Sequence, residues 1–293
     1  MDDGQFVYLN GAFVPHDEAR ISLFERGFLF GDGLFETMRA YNRRVFRFDG
    51  HLERLLRGLE ILRLPLPVPR EEIGSALERL LDMNGLLDAY VRLMVWRGEG
   101  LGVDPAGCSG ARLALIARPL IPYPEAIYER GMKGVIVSLR QNERSPLSQM
   151  KSLNFLPGIL GTMEAKAKGA DEGISLNTRG FVAEGTVSNS FLVSSGHLLT
   201  PSLESGALPG ITRAVILELA RSAGRSVAER EIALTELKAA DEAFLTNTLM
   251  GVMPLTSLDG VPIGKGRPGP MTRLFARAYE ELVAKETGKS AWP

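Results

Sequence analysis

Cysteine is almost absent from this 293-residue chain, with Cys108 the only one. No internal disulfide and no thiolate metal cluster can form. Histidine is scarce as well: His16, His51 and His197 lie far apart, with no HExxH or other close ligand spacing, so no bound metal is expected. The chain lacks any run of ~18 apolar residues, so no transmembrane helix is expected. Its first residues, MDDGQFVYLN, are acidic and have no apolar core of signal length, which points to a cytoplasmic location. Neither sign of charge is in excess, with 34 basic against 35 acidic residues, which argues against a polybasic binder of nucleic acid or membrane surfaces. No GxSxG elbow and no GxxxxGK[ST] loop occur. RGEGLG, 97–102, follows a strand but opens no helix, which disfavours a dinucleotide fingerprint.

Lysine is also sparse, and none precedes Lys133. Lys133, Lys166, Lys168, Lys238, Lys265, Lys285 and Lys289 each read as solvated charges in polar loops or at helix ends. Lys151 differs. It sits in QMKSLNFLPGIL, between apolar neighbours and just before a helix. A partly buried lysine has a lowered pKa, which frees its amine to attack a carbonyl. The plainer alternative is a structural lysine at a helix start.

What is present describes an ordinary globular chain, 45% hydrophobic and 24% charged. Its length fits one large or two medium domains. QFVYLNGAFV reads as a hairpin around Asn10-Gly11. GLFETMRAY and RRVFRF read as strands around Asn42-Arg43. Asp49 is expected to cap a helix from about Gly50 to Arg63, with Leu52, Leu55, Leu56, Leu59 and Leu62 on one face. A second helix is expected at 71–83, then strands at 89–97 and 112–117. PLIPYPE, 119–125, reads as a linker between an N-terminal α/β domain, 1–118, and a C-terminal domain, 126–293, that carries Lys151. The second half is expected to hold strands in GVIVSL, GISLN, FVAEG, FLVSS and DEAFLTN, and helices at 154–168, 211–223 and 272–286. The fold class is α/β (α+β).

Other segments carry possible chemistry. LPGITR, 208–213, is a turn feeding a helix, whose amides and Thr212 hydroxyl would suit an anion. Thr246 and Thr248 offer hydroxyls at a strand end. Glu184 ends a strand, where it could pair with a protonated ring nitrogen or stand as a solvated turn acid. Arg54 could face a phosphate or form a surface ion pair.

Taken in order, MKSLNFL, AEGTVSNSFLV, LTPSLESGALPGITR and ADEAFLTNT resemble the class IV pyridoxal-phosphate aminotransferases. FGDGLFETMRAY and HLERL fit as well, so the resemblance covers nearly the whole chain. That family includes branched-chain aminotransferases, D-amino-acid aminotransferases and aminodeoxychorismate lyases. It implies the two-domain D-amino-acid aminotransferase-like fold, fold type IV, with pyridoxal 5'-phosphate as cofactor. Lys151 resembles the lysine that holds the cofactor as a Schiff base and shuttles the proton. Glu184 resembles the acid on the pyridine nitrogen. Arg54, Ile211, Thr212 and Thr248 match the phosphate cup, and Ser188 and Asn189 are implied beside the cofactor. Phe155 departs from the tyrosine usual in branched-chain enzymes, so the ring oxygen needs another donor.

For substrate, Tyr90 and Arg92 resemble the Tyr-x-Arg of branched-chain enzymes, and Phe30, Phe35, Arg39 and Leu249 match pocket positions. Arg92 could equally be a structural ion pair. Arg97-Gly98 resembles the Arg-Gly of D-amino-acid enzymes, where the arginine grips a carboxylate. Glu36 in FET looks more like the transaminases than the Phe-Thr-Thr of some lyases. The implied activity is ping-pong transamination between an amino acid and a 2-oxo acid. The alternative is a lyase releasing pyruvate and 4-aminobenzoate from aminodeoxychorismate. The family also implies a homodimer, with residues 98–106 as the loop that closes the partner's pocket.

Overall fold

The computed structural model describes residues 5–288. The chain divides into two compact units. One runs through Ile121 and takes in Met150–Asn154 and the chain from Val283. The other comprises Pro122–Gln149 and Phe155–Leu282.

The first unit opens with β1 (Phe6–Leu9) and β2 (Ala12–Pro15). Asn10 and Gly11 have φ of 50° and 93°, the pair of positive values that a two-residue hairpin turn of matching twist requires. Then come α1 (Arg26–Phe30), β3 (Gly33–Tyr41), β4 (Arg44–Val45), α2 (Phe48–Ile61), α3 (Arg70–Met83), β5 (Ala89–Arg97) and β6 (Ala111–Pro119). The strands form one antiparallel sheet in the order β2-β1-β6-β5-β3-β4. Alternation sorts its faces. Leu34, Met38, Val91, Leu93 and Val95 are buried with Leu52, Leu55 and Leu59 of α2 and Ile73, Leu77 and Leu80 of α3. Tyr90, Arg92 and Met94 of β5 point to the other face and are half-buried.

Two expectations fail here for one reason. Asp49 is not the helix cap, and the strand expected over 43–48 pairs only at Arg44 and Val45. Arg47 has φ of 55° and turns the chain into α2 two residues early. Asp49 therefore lies inside the first turn, where it still favours the helix dipole and pairs with Arg70 at 2.6 Å.

Met150–Asn154 lies along β3. Phe35 N donates to Lys151 O at 2.9 Å, Leu153 N donates to Gly33 O at 3.0 Å, and Leu34 bridges Ser152. This backbone pairing places the lysine segment with the first unit, whereas the sequence reading puts it with the rest of 126–293.

The second unit holds α4 (Glu125–Arg130), β7 (Met132–Gln141), α5 (Leu156–Ala167), β8 (Glu172–Asn177), β9 (Val182–Gly185), β10 (Asn189–Ser194) and β11 (His197–Pro201). After these come α6 (Ile211–Ser222), β12 (Val227–Arg230), α7 (Leu234–Lys238), β13 (Glu242–Asn247), β14 (Gly251–Leu258), β15 (Val261–Pro262) and α8 (Pro270–Thr287), within which the division at Val283 falls. Its mixed sheet runs β12-β11-β10-β13-β14-β7-β8-β9, with β15 on β14. The sequence reading places no strand at β11, β12 or β14. Pro254 argues against a strand there because it cannot donate to a ladder. It sits opposite Phe244 of β13, one residue before the pairing with β7 begins at Leu255.

Candidate active site

Within the first unit, β3 and β5 run side by side with Phe35 opposite Met94, Thr37 opposite Arg92 and Arg39 opposite Tyr90. These side chains therefore share one face. The Phe35 ring is its centre: Arg92 Cζ lies 4.0 Å and Lys151 Nζ 4.5 Å from the ring centroid. Each cation gains from the ring's electron-rich face. Arg92 Nη1 reaches the Tyr90 hydroxyl at 3.5 Å. Arg39 stacks on Tyr41 at 4.4 Å. Phe30, at the end of α1, is 43% exposed, with Arg26 over its ring at 4.9 Å. Trp96 shares the face of Tyr90 by alternation, but it is buried and donates from Nε1 to Glu25 at 3.1 Å. Gly27 leaves room for its indole, since a Cβ there would lie 2.4 Å from Trp96 Cδ1, and a Cβ at Gly33 would lie 2.6 Å from Trp96 Cβ.

Arg97 faces a different environment. Its Nε donates to Asp32 Oδ2 at 3.0 Å and its Nη2 to the Leu62 carbonyl at 2.8 Å. Asp32 Oδ2 also accepts from Arg26 Nε at 2.8 Å, and Arg26 reaches the carbonyls of Gly102 and Val103.

Arg54 is buried, not a surface cation. It donates from Nε to Glu36 Oε1 at 2.7 Å and from Nη2 to Oε2 at 2.6 Å, a bidentate fork. His51 Nδ1 meets the same Oε2 at 2.7 Å. Burial pushes the Glu36 carboxyl up, but the Arg54 charge and the bonds from His51 and Arg54 outweigh it and leave the pKa at about 2. Burial lowers His51, whose ring is therefore neutral at pH 7 and donates from Nδ1. The sequence held a signal for this cluster: Glu36 stands between Leu34 and Met38 on the apolar face of a strand. A charge there needs a partner, and His51 and Arg54 sit three apart on the apolar side of the next helix.

Within the second unit, Glu184 lies on β9. Its Oε2 accepts from Asn189 Nδ2 at 3.1 Å and from Leu208 N at 2.8 Å, and Asn189 Nδ2 also donates to the Leu208 carbonyl at 2.9 Å. One asparagine thus ties the acid to the turn that precedes α6. Gly210 caps α6 without a side-chain bond, and no acid occupies the first turn. The leading amides of a helix have no partner within it, so Ile211 and Thr212 sit where an anion would be met by N–H donors. Thr246, directly opposite Asn189 in the sheet, is buried with no hydrogen-bond partner for its hydroxyl. Thr248 and Leu249 form the turn after β13, which Asn247 Oδ1 ties by accepting from Leu249 N and Met250 N at 2.9 Å.

Glu172 escaped the sequence reading. It is buried and accepts from Gly173 N and Thr186 N, each at 3.0 Å, from the Thr186 hydroxyl, and from Ser188 Oγ at 3.3 Å. Burial raises its pKa against those bonds. Ser188 thus serves the loop between Glu184 and Asn189, which Glu172 holds from below.

The chemistry available is a half-buried amine on Lys151, a carboxylate fixed to accept an N–H, and donor groups suited to an anion. Of the other lysines, Lys133, Lys166, Lys168, Lys265 and Lys285 are exposed, Lys238 pairs with Asp259, and Lys289 lies outside the described residues. Among the described residues, no cluster of His, Cys, Asp and Glu could hold a metal, and no helix is long and apolar enough to cross a membrane.

The profile of the amino-transferase class IV family matches residues 33–258. A relative from Methanocaldococcus jannaschii is 38% identical over 281 residues, covering 95% of this chain and 96% of its own. The crystal structure of the branched-chain amino acid aminotransferase of Escherichia coli superposes with a TM-score of 0.91 at 32% identity, covering 99% of this chain and 97% of that one. The branched-chain aminotransferase of Thermoproteus uzoniensis with norvaline superposes at 0.89 with 34% identity, covering 98% and 96%. Another branched-chain amino acid aminotransferase, solved with pyridoxamine 5'-phosphate, superposes at 0.91 with 31% identity, covering 97% and 96%.

Proposed function

The chain belongs to the amino-transferase class IV family and is a pyridoxal-phosphate-dependent transaminase; from that premise we propose that it moves amino groups between branched-chain amino acids and 2-oxo acids. The observation that carries the substrate choice is Arg92 over the Phe35 ring with the Tyr90 hydroxyl at its Nη1, while Arg97 is engaged elsewhere. Arg92 supplies one cation for a carboxylate, while Phe35 and Met94 suit an apolar side chain. Arg97, the residue that would favour D-amino acids, is held by Asp32 and the Leu62 carbonyl and acts as a structural arginine.

The residues fit pyridoxal 5'-phosphate by their donor set. Glu184, held by two N–H donors, suits a protonated ring nitrogen. The uncapped start of α6 and the unpartnered Thr246 hydroxyl suit the oxygens of a bound anion. When bound, the cofactor supplies an aldehyde to take the amino group and a protonated ring to draw electrons from the substrate. Lys151 Nζ would hold the cofactor covalently and would carry the proton taken from the substrate Cα. Glu184 keeps the ring nitrogen protonated, and Asn189 keeps Glu184 in place. Arg54, Ile211, Thr212 and Thr248 hold the phosphate. Ser188 steadies the loop through Glu172. Phe30, Phe35, Arg39 and Leu249 line the substrate side. One amine site makes the two half-reactions successive, so kinetics are ping-pong.

We further propose a cytoplasmic homodimer in which residues 98–106 close the partner's pocket. Leu101 and Val103 are 75% and 86% exposed, and Arg26 fixes the carbonyls of Gly102 and Val103.

Borohydride reduction of the cofactor-loaded protein, followed by peptide mapping, is expected to label the Lys151 peptide. L-leucine is expected to yield its 2-oxo acid in a single half-turnover, with little from D-alanine. Pyruvate and 4-aminobenzoate from aminodeoxychorismate, with no oxo acid from leucine, would overturn the reading in favour of a lyase.

A further inference from the structure

Glu36 is wholly buried on the apolar face of β3. A carboxylate in that position is costly, and an apolar residue of similar size would fill the space without it. Its geometry is nonetheless complete. Both oxygens are engaged by the Arg54 fork, and the neutral His51 donates a third bond to Oε2. A fork of two parallel bonds holds carboxylate and guanidinium nearly coplanar. The plane of Arg54 is thereby set by Glu36, and so is the direction of the N–H groups outside the fork. The pair is also close to neutral in sum, since Glu36 stays ionised across the working pH range. What Arg54 offers an anion is then an oriented edge of donors more than a net charge.

We propose that Glu36 is a positioning residue that fixes the plane of Arg54 for the cofactor phosphate, with His51 bracing Glu36. The inference rests on reading Arg54 as a phosphate ligand. It predicts that removing the carboxylate weakens phosphate recognition, although doing so leaves Arg54 with its positive charge uncompensated. Pure charge attraction predicts the opposite sign.

The test compares pyridoxal 5'-phosphate with pyridoxal, which lacks the phosphate, as ligands of the apoprotein. Affinities are measured by fluorescence titration for the parent, Arg54→Ala, Glu36→Gln, His51→Phe and His51→Gln. Arg54→Ala is expected to remove most of the preference for the phosphorylated form. Glu36→Gln is expected to cut that preference roughly tenfold, the loss of one oriented charge-assisted bond, and to move the 31P resonance of the bound cofactor. His51→Phe is expected to cut it by less, while His51→Gln, which keeps a donor, retains it. An unchanged preference in Arg54→Ala refutes the phosphate reading itself. A preference lost in Arg54→Ala but unchanged or raised in Glu36→Gln refutes the positioning role alone. Should Glu36→Gln fail to fold, an unchanged preference and 31P resonance in His51→Phe overturns the proposal, and a reduced preference rescued in His51→Gln supports it.

Discussion

Replacing Gly210 by alanine tests how Glu184 is held. Gly210 has φ −66° and ψ 138°, a conformation open to any residue, so the substitution introduces no backbone strain. Space is the obstacle. A Cβ at 210 would lie 1.9 Å from Asn189 Oδ1 and 3.0 Å from its Cγ. Asn189 must move, yet it is buried and gives its amide to both Glu184 and the Leu208 carbonyl. Losing two such bonds, one to a charged group, costs about 2–4 kcal/mol. In a chain of this size that corresponds to a melting midpoint lower by roughly 3–7 °C. Cofactor affinity should fall as well, because Glu184 loses the Asn189 donor. The assay is thermal unfolding of the apoprotein with and without added pyridoxal phosphate, for Gly210→Ala alone and in an Asn189→Ala background. In that background the clash is gone and Gly210→Ala should cost little. If Gly210→Ala is neutral, or is equally harmful without Asn189, the reasoning is wrong.

Thr246→Val removes a buried hydroxyl that has no partner, so the apoprotein should be more stable by about 1 kcal/mol. The valine form should also bind pyridoxal phosphate more weakly if that hydroxyl meets the cofactor, and calorimetry reads both. Arg92→Ala should raise KM for leucine at least tenfold with a modest change in melting, whereas Arg97→Ala should lower the melting midpoint and leave KM near the parent value, since Arg97 is bound to Asp32 and Leu62. The Glu36 pKa is lowered from 4.5 to about 2, so it contributes stability that is full above pH 4.5 and is lost as pH falls toward 2, roughly 3 kcal/mol in all. His51, also lowered, adds to the loss once pH drops below about 6.5, where the unfolded chain takes up the proton. Denaturant titrations across pH 2–7 should show this slope in the parent and a shallower one in Glu36→Gln.

Local patterns made much of the fold legible. The alternation of AYVRLMVWR predicts a strand with a polar face, and β5 has one. Asn-Gly at 10–11 predicts a tight turn, and positive φ values are found there. Lysine scarcity isolated Lys151, and Pro-Gly before a helix marked Thr212. Three kinds of feature were hidden. The β14 segment carries Pro254, so a local reading rejects a strand that sheet pairing supports on both sides. Arg47 adopts a left-handed conformation that nothing in its type requires, and this moved the start of α2 away from Asp49. The bonds that hold Glu36 and Glu172 join residues far apart in sequence, and only the folded register brings them together.

The five residues Met150–Asn154 have a consequence for recombination. The chain leaves the first unit after Ile121, returns for this short stretch, leaves again at Phe155 and comes back at Val283. A chimaera cut at the first crossing would therefore import the lysine from one parent and the strand that braces it from the other. Such hybrids test whether the donor's segment at 150–154 can dock on a foreign β3. Grafting those five residues together with 1–121 keeps the lysine of each parent with its native support, and it is the exchange expected to preserve the backbone pairing of 150–154 on β3.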